Sequence, residues 1–229
     1  MVYLKIIKLL TLSLILILII VSLFIFGINN EKNVVLSDLP LKNRLIFIDP
    51  GHGGVDPGAI YKNIKESDLN LEISLKLARV LEESGATVFL TRDGDYDLSN
   101  GSYSRKRTDF INRCNLINNS FADIFLSIHL NSTTTTSWHG AQVFYDDVNE
   151  LNSKLANILQ STLNAELKGR REAKEIYSLY MYRNIDIPGV LLEVGFLSNP
   201  NDRYLLQKES YQEQLTIIIT KGVIKYFEK

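Results

Sequence analysis

Two of the three histidines of this chain each follow a short apolar run that predicts a buried strand. His52 comes just after residues 44–49 (RLIFID), and His129 comes just after residues 124–128 (IFLSI). In open α/β sheets, functional sites form outside the carboxyl ends of the strands. We therefore expect the two imidazoles at the same rim of the sheet.

Two glutamates are expected at that rim as well. Glu66 begins the helix that follows the His52 loop, and Glu193 lies near the end of the predicted strand 190–194. Two imidazoles and one carboxylate form a ligand set of catalytic zinc, which leaves one coordination position open and a second carboxylate free as a base. The three ligands are 14 and 63 residues apart, so they form no local motif. On this pattern alone, metal binding and an ordinary packed or surface role for the histidines both stay open.

The elements that must position these side chains alternate along the body of the chain. Apolar runs predict strands, and apolar residues at helical spacing predict helices. The predicted strands are 44–49, 87–91, 124–128, 141–145, 179–182 and 190–194, and the predicted helices are 68–84, 104–119, 151–167 and 215–227. Because the strands are continuous apolar runs, the pattern predicts a single three-layer α/β domain, with a mostly parallel sheet and helices on both faces.

The N-terminus carries an uninterrupted apolar run over residues 9–28, preceded by Lys5 and Lys8. Twenty helical residues cover about 30 Å, which is the thickness of a bilayer core. We expect a signal anchor, a transmembrane helix, over 1–28, a polar tether over 29–43 and a catalytic domain over 44–229. The flanking lysines favour an exported, extracytoplasmic body. A cleaved signal peptide is the alternative, although no Ala-x-Ala site follows the run.

Composition excludes several classes of protein. The chain has 229 residues, 45% of them hydrophobic and 22% charged, which is a globular balance. The formal net charge is −1, which argues against a nucleic-acid binder that relies on a basic face. Cys114 is the single cysteine, so neither an intrachain disulfide nor a cysteine-based zinc cluster can form.

Five segments make a family resemblance specific. Taken in chain order, they resemble the zinc-dependent N-acetylmuramoyl-L-alanine amidases of the third amidase family, over about residues 44–228. The segments are IFIDPGHGGVDPGA, KESDLNL, TRDGD, SIHLNS and IPGVLLEVGFLSNP. Within the family, the chain is most similar to the CwlD type, which acts in spore-cortex maturation. The segment SRKRTDFINRCNLINNS and a body that starts soon after one apolar segment carry this finer likeness.

The resemblance implies roles for four residues. His52, Glu66 and His129 would be the zinc ligands, and Glu193 would be the catalytic glutamate. The implied substrate is peptidoglycan, at the amide between N-acetylmuramic acid and L-alanine of the stem peptide. The CwlD type further implies action before muramic-δ-lactam formation, with a separate deacetylase as a pathway partner. One departure is Ser67, where the family often has lysine.

Other interpretations stay open from the sequence. The body could be a catalytically silent, membrane-anchored regulator that binds peptidoglycan, or another zinc hydrolase such as a carboxypeptidase. Asp49 and Asn131 flank the ligands and either orient them or bond local backbone in turns. Arg92 and Arg183 either contact a substrate carboxylate or form structural salt bridges.

Overall fold

The computed structural model describes residues 3, 10, 13–22, 39–177 and 181–228 of the chain. The chain divides into two compact units, Met1–Asp38 and Leu39–Lys229.

In the N-terminal unit, residues 13–22 are helical and their side chains are exposed. Among the described residues, no helix combines the length and the hydropathy that a bilayer crossing requires. Most of the predicted anchor over 1–28, and the predicted tether as far as residue 38, lie outside the described residues. Both therefore stay predictions.

The second unit begins inside the segment predicted to be a tether. Leu41 is fully buried, and its N–H donates to the carbonyl of Ser84 at 2.9 Å. The last residues of that segment, from Leu39 onward, therefore pack on the body of the protein.

Within its described residues, the second unit contains eight strands and five α-helices. The strands are β1 (Leu45–Pro50), β2 (Ile60–Tyr61), β3 (Ile64–Lys65), β4 (Thr87–Leu90), β5 (Ile124–Asn131), β6 (Gln142–Tyr145), β7 (Lys174–Glu175) and β8 (Gly189–Phe196). The helices are α1 (Glu66–Glu83), α2 (Arg105–Asn118), α3 (Glu150–Leu167), α4 (Pro200–Leu206) and α5 (Glu209–Phe227), with a 3₁₀ helix over Tyr182–Asn184.

Six strands form the main sheet, in the order β4-β1-β5-β8-β6-β7. The pairings β1–β4, β1–β5, β5–β8 and β6–β7 are parallel, and β6 runs antiparallel to β8. The predicted mostly parallel sheet is therefore confirmed, with one antiparallel pairing. Strands β2 and β3 form a separate hairpin before α1.

The sheet has a hydrophobic core on each face, which confirms the three layers. Ile46 and Ile48 of β1 belong to the larger core, with side chains of α1, α3 and α5. Phe47 points the other way, into the smaller core that contains Cys114 and Ile117 of α2. Each fully buried aliphatic side chain stabilises such a core by about 1.5–3 kcal/mol.

The same alternation decides which face carries the polar residues at the strand ends. Phe125 and Leu191 lie in the smaller core. Side chains two residues apart on a strand share a face, so His129 and Glu193 lie on the α2 side of the sheet.

One predicted strand is wrong where it can be checked. The prediction covered 179–182, but Met181 is in a turn and Tyr182 begins the 3₁₀ helix, while residues 179 and 180 lie outside the described residues. Met181 and Tyr182 instead pack into the smaller core. Helix α5 also begins earlier than the predicted 215, at Glu209, and its first turns bury the polar side chain of Gln212, which donates to the Leu206 carbonyl at 2.8 Å.

Candidate functional site

The loop after β1 presents His52 through an unusual backbone geometry. His52 has a φ of 61°, in the left-handed region that non-glycine residues rarely adopt. The preceding Gly51 lies against the ring of His129, and a Cβ added to it would be 2.2 Å from His129 Nε2. Only glycine therefore lets the loop pass close enough to bring the two imidazoles together.

Glu66 is the first residue of α1, directly after the β2–β3 hairpin. Its Oε2 accepts a hydrogen bond from the Ala59 N–H at 2.8 Å, and its Oε1 accepts one from the Leu130 N–H at 3.1 Å. The side chain is 5% exposed. The carboxylate is thus held in one orientation by the loop at Ala59 and by strand β5.

The three predicted ligands converge. Glu66 Oε1 lies 3.2 Å from His52 Nε2 and 3.1 Å from His129 Nδ1. One donor atom from each residue lies within 4.8 Å of the others. The two histidines face the carboxylate through different ring nitrogens. His52 uses Nε2, because its Nδ1 pairs with Asp56 Oδ2 at 2.9 Å. His129 uses Nδ1, because its Nε2 edge packs on Gly51.

Contacts within the cluster favour the charged forms of Glu66 and His52. Burial disfavours the ionised carboxyl, but hydrogen bonds and charge from His129 and His52 hold the pKa of Glu66 well below its usual range. Burial also disfavours the His52 imidazolium, yet bonds to Glu66 and Asp56 raise its pKa to about 9. The carboxylate therefore attracts positive charge strongly. Two imidazole nitrogens and one carboxylate also match the donor set of a zinc site that keeps a position open.

Glu193 lies beside this cluster. It is the register partner of His129 on the adjacent strand β5. Its Oε2 is buried and has no hydrogen-bond partner among the described residues. Burial is the main reason that the pKa of Glu193 rises to about 7. A carboxyl with a pKa near neutrality suits a general base.

A cavity of about 220 Å³ opens in front of these groups. His52, His129 and Glu193 line it together with Tyr182 and Phe110. All four residues predicted for the site are therefore gathered in one place, with room for a small group before them.

Two buried arginines hold the His52 loop: Arg113, which the sequence did not single out, and Arg92. Arg113 donates to the carbonyls of Pro50 and His52 at 2.9 and 2.7 Å. Arg92 donates to the carbonyls of Pro50 and Gly51 at 3.0 and 2.9 Å. Each carbonyl from residue 50 to residue 52 thus accepts from a guanidinium, which fixes the loop despite its strained backbone.

The structure shows the contacts of the flanking residues. Asp49 is buried and pairs with Arg113 at 2.7 Å, so it supports the loop through that arginine and not by touching a ligand side chain. Arg92 has the structural role, and Arg183 pairs with Asp147 at 2.9 Å. Asn131 accepts from the Leu197 N–H with its backbone carbonyl.

Asp56 is the orienting residue that sequence reasoning missed. It follows His52 by four residues inside the segment GHGGVD, and that spacing was the available signal. A carboxylate on the far nitrogen of a ligating histidine fixes its tautomer and ring orientation.

Comparison with known proteins agrees with this geometry. The family model described as N-acetylmuramoyl-L-alanine amidase matches residues 46–225. The germination-specific N-acetylmuramoyl-L-alanine amidase of Bacillus subtilis (strain 168) is 40% identical over 215 residues, which are 92% of this chain and 91% of that protein.

Solved structures agree in fold. The CwlD amidase from Clostridioides difficile, solved in complex with the GerS lipoprotein, superposes with a TM-score of 0.77 at 38% identity, over 81% of this chain and 99% of that chain. The N-acetylmuramoyl-L-alanine amidase from Clostridium difficile 630 superposes with a TM-score of 0.73 at 34% identity, over 81% and 97% of the two chains. With the family model covering most of its body and this likeness along nearly its whole length, the chain belongs to the N-acetylmuramoyl-L-alanine amidase family.

Proposed function

We propose that this chain is a zinc-dependent hydrolase that cleaves the amide between N-acetylmuramic acid and L-alanine of the peptidoglycan stem peptide. The observation that carries the proposal is the convergence of His52, Glu66 and His129, with donor atoms within 4.8 Å of one another. Beside them lies Glu193, whose buried Oε2 has no hydrogen-bond partner in the described part of the chain.

In this mechanism the chain's own residues hold the metal and move the proton. His52 Nε2, His129 Nδ1 and Glu66 would bind zinc, which when bound polarises a carbonyl and makes water a stronger acid. Glu193 accepts a proton from the attacking water as general base, and then returns it to the leaving L-alanine nitrogen as general acid. Its raised pKa makes both transfers accessible near neutral pH.

The setting of the reaction is proposed from the relatives. The similar Bacillus subtilis protein is named for germination, which supports a role in the spore cortex. Removal of stem peptides there would precede muramic-δ-lactam formation, and a separate deacetylase would act in the same pathway.

Identification of the bond that the protein cleaves tests the proposal. Purified full-length protein in detergent should release intact stem peptides, with a new free amino group on L-alanine, from purified peptidoglycan. Removal of zinc by a chelator should stop the release, and added zinc should restore it. Release of a terminal D-amino acid would instead indicate a carboxypeptidase. Zinc binding without any cleavage would favour the silent regulator.

We also propose that the apolar run anchors the enzyme in the membrane, with the catalytic body on the extracytoplasmic side. Lys5 and Lys8 before the run support this orientation. Deletion of residues 1–28 should move the protein from the membrane fraction to the soluble fraction and leave turnover on soluble muropeptides within about twofold, because the run belongs to the bilayer and not to the core. Full-length protein that extracts without detergent, with a truncated form that aggregates, would overturn the proposal.

A further inference from the structure

A second cleft opens at the rim of the sheet that carries the active site. It has a volume of about 910 Å³ and lies between residues 138–142 and residues 168–174. Strand β6 runs antiparallel to β8, and its first residue, Gln142, pairs with Glu193. Cross-strand partners place their side chains on the same face, about 5 Å apart. Gln142 thus belongs both to the cleft and to the strand pair of Glu193, while the apolar lining of the cleft, with Leu163 and Tyr211, packs on the larger core at the other face of the sheet.

Arg171 organises the cleft. Its guanidinium lies 5.1 Å from the ring centre of Trp138 and 4.7 Å from that of Phe196. It donates to the His139 carbonyl at 2.8 Å and to Gln142 Oε1 at 2.9 Å. Trp138 is half-exposed on the cleft side, so the stack forms a rigid wall that is tied through Gln142 to the strand beside Glu193.

The cleft is also a concentration of positive charge on an acidic chain. Segment 168–174 (KGRREAK) has four basic residues and one acidic residue, whereas the chain as a whole has a net charge of −1. Within the part of the chain that the structure describes, none of these four cations forms an ion pair. Two acidic residues also line the cleft: Glu172, and Asp202, whose Oδ2 accepts from the N–H groups of Gly140 and Phe196 at 2.7 and 2.9 Å and whose charge acts on Arg171.

We propose that this cleft binds the carboxylate-bearing part of the substrate's peptide. The proposal rests on the proposed function and deepens it, because it assigns a site for the group that flanks the scissile amide. Unpaired lysine and arginine side chains recognise carboxylates by charge-assisted hydrogen bonds. The N-acetylated sugars of the glycan carry no charge that would use them. A peptide that extends from the active site to the cleft would cross the rim of the sheet at Gln142, which pairs with Glu193 and lines the cleft.

Binding can be measured without catalysis, because Trp138 is the single tryptophan of the chain. Full-length protein in detergent is titrated with the dipeptide L-Ala-D-Glu, which has two carboxylates, and with its diamide, while tryptophan fluorescence is recorded. We expect a saturable change with the dipeptide that weakens as salt rises, and little or no change with the diamide. Equal responses to both probes, or no response to either, would overturn the proposal.

Charge removal tests the same site during turnover. The double variant Arg170→Gln, Lys174→Gln removes two exposed cations whose side chains form no hydrogen bond or ion pair with the described residues. Its KM for muropeptides with free carboxylates should rise about five- to tenfold with kcat unchanged, in line with two partly exposed charge pairs. Its KM for the same muropeptides with amidated carboxylates should not change. The matched control Lys154→Gln, Lys225→Gln removes two cations that lie outside the cleft and should leave both KM values unaltered.

The outcomes separate the two proposals. An unchanged KM in the cleft variant, or an equal rise for both substrates, would overturn carboxylate recognition while the amidase activity stands. If the wild-type protein cleaves neither substrate, the proposed function fails, and the fluorescence titration still tests the cleft. Thermal denaturation of each variant checks that folding is intact.

Discussion

Replacement of Glu193 by glutamine should leave the metal in place and nearly abolish turnover. Glutamine keeps the size of the side chain but cannot accept a proton from water. General bases contribute typically 10²–10⁴-fold, so the rate of stem-peptide release should fall by about a hundredfold or more. Zinc stoichiometry and peptide release are measured on the same sample, with the folded state checked by circular dichroism.

Two other variants serve as a comparison and a control for Glu193→Gln. Glu66→Gln should lose zinc as well as activity, because Glu66 is the carboxylate between the two imidazoles. Glu82→Gln, an exposed glutamate on α1, should change neither quantity. Loss of zinc in Glu193→Gln, with zinc retained in Glu66→Gln, would mean that the roles of the two glutamates are exchanged.

Removal of either site histidine should empty the metal site. In His129→Ala or His52→Ala, two protein ligands remain for a metal that prefers four-coordination. The zinc affinity should fall by more than the roughly 10–100-fold that loss of an outer partner of a ligand costs. Elemental analysis after dialysis against a weak chelator measures the remaining metal.

The third histidine provides the matched control. His139 lies in the loop beside Trp138, outside the cavity that His52 and His129 line. His139→Ala should therefore retain full zinc. Full zinc in the His52 and His129 variants would exclude them as ligands. Equal loss in all three variants would point to a general effect on folding.

Two glycines leave the room that the ligand side chains occupy. A Cβ on Gly58 would lie 2.6 Å from Glu66 Oε2 and 2.7 Å from the His52 ring. Together with Gly51, this glycine allows three side chains to meet in a small volume. The glycine-rich segment therefore provides the space in which the ligand side chains meet, in addition to the ligand His52.

The sequence alone determined the strand-end positions of His52 and His129 and the layered α/β fold. Both follow from local patterns, because a continuous apolar run predicts a buried strand and the polar residue after it must lie at the sheet rim. The resemblance then assigned the roles of Glu66 and Glu193. The apolar pattern of segment 179–182 misled at its two described residues, because Met181 lies in a turn and Tyr182 in a 3₁₀ helix. The prediction also placed the start of α5 at 215, whereas the helix begins at Glu209.

Only the tertiary structure decided how the site is supported and what adjoins it. Arg113 lies 61 residues from His52 along the chain, yet it holds the carbonyl of that residue. Likewise, the antiparallel placement of β6 beside β8 puts Gln142, which accepts from Arg171, into register with Glu193. No local periodicity encodes such contacts, because they depend on strand order and register, which arise when distant segments pack against each other.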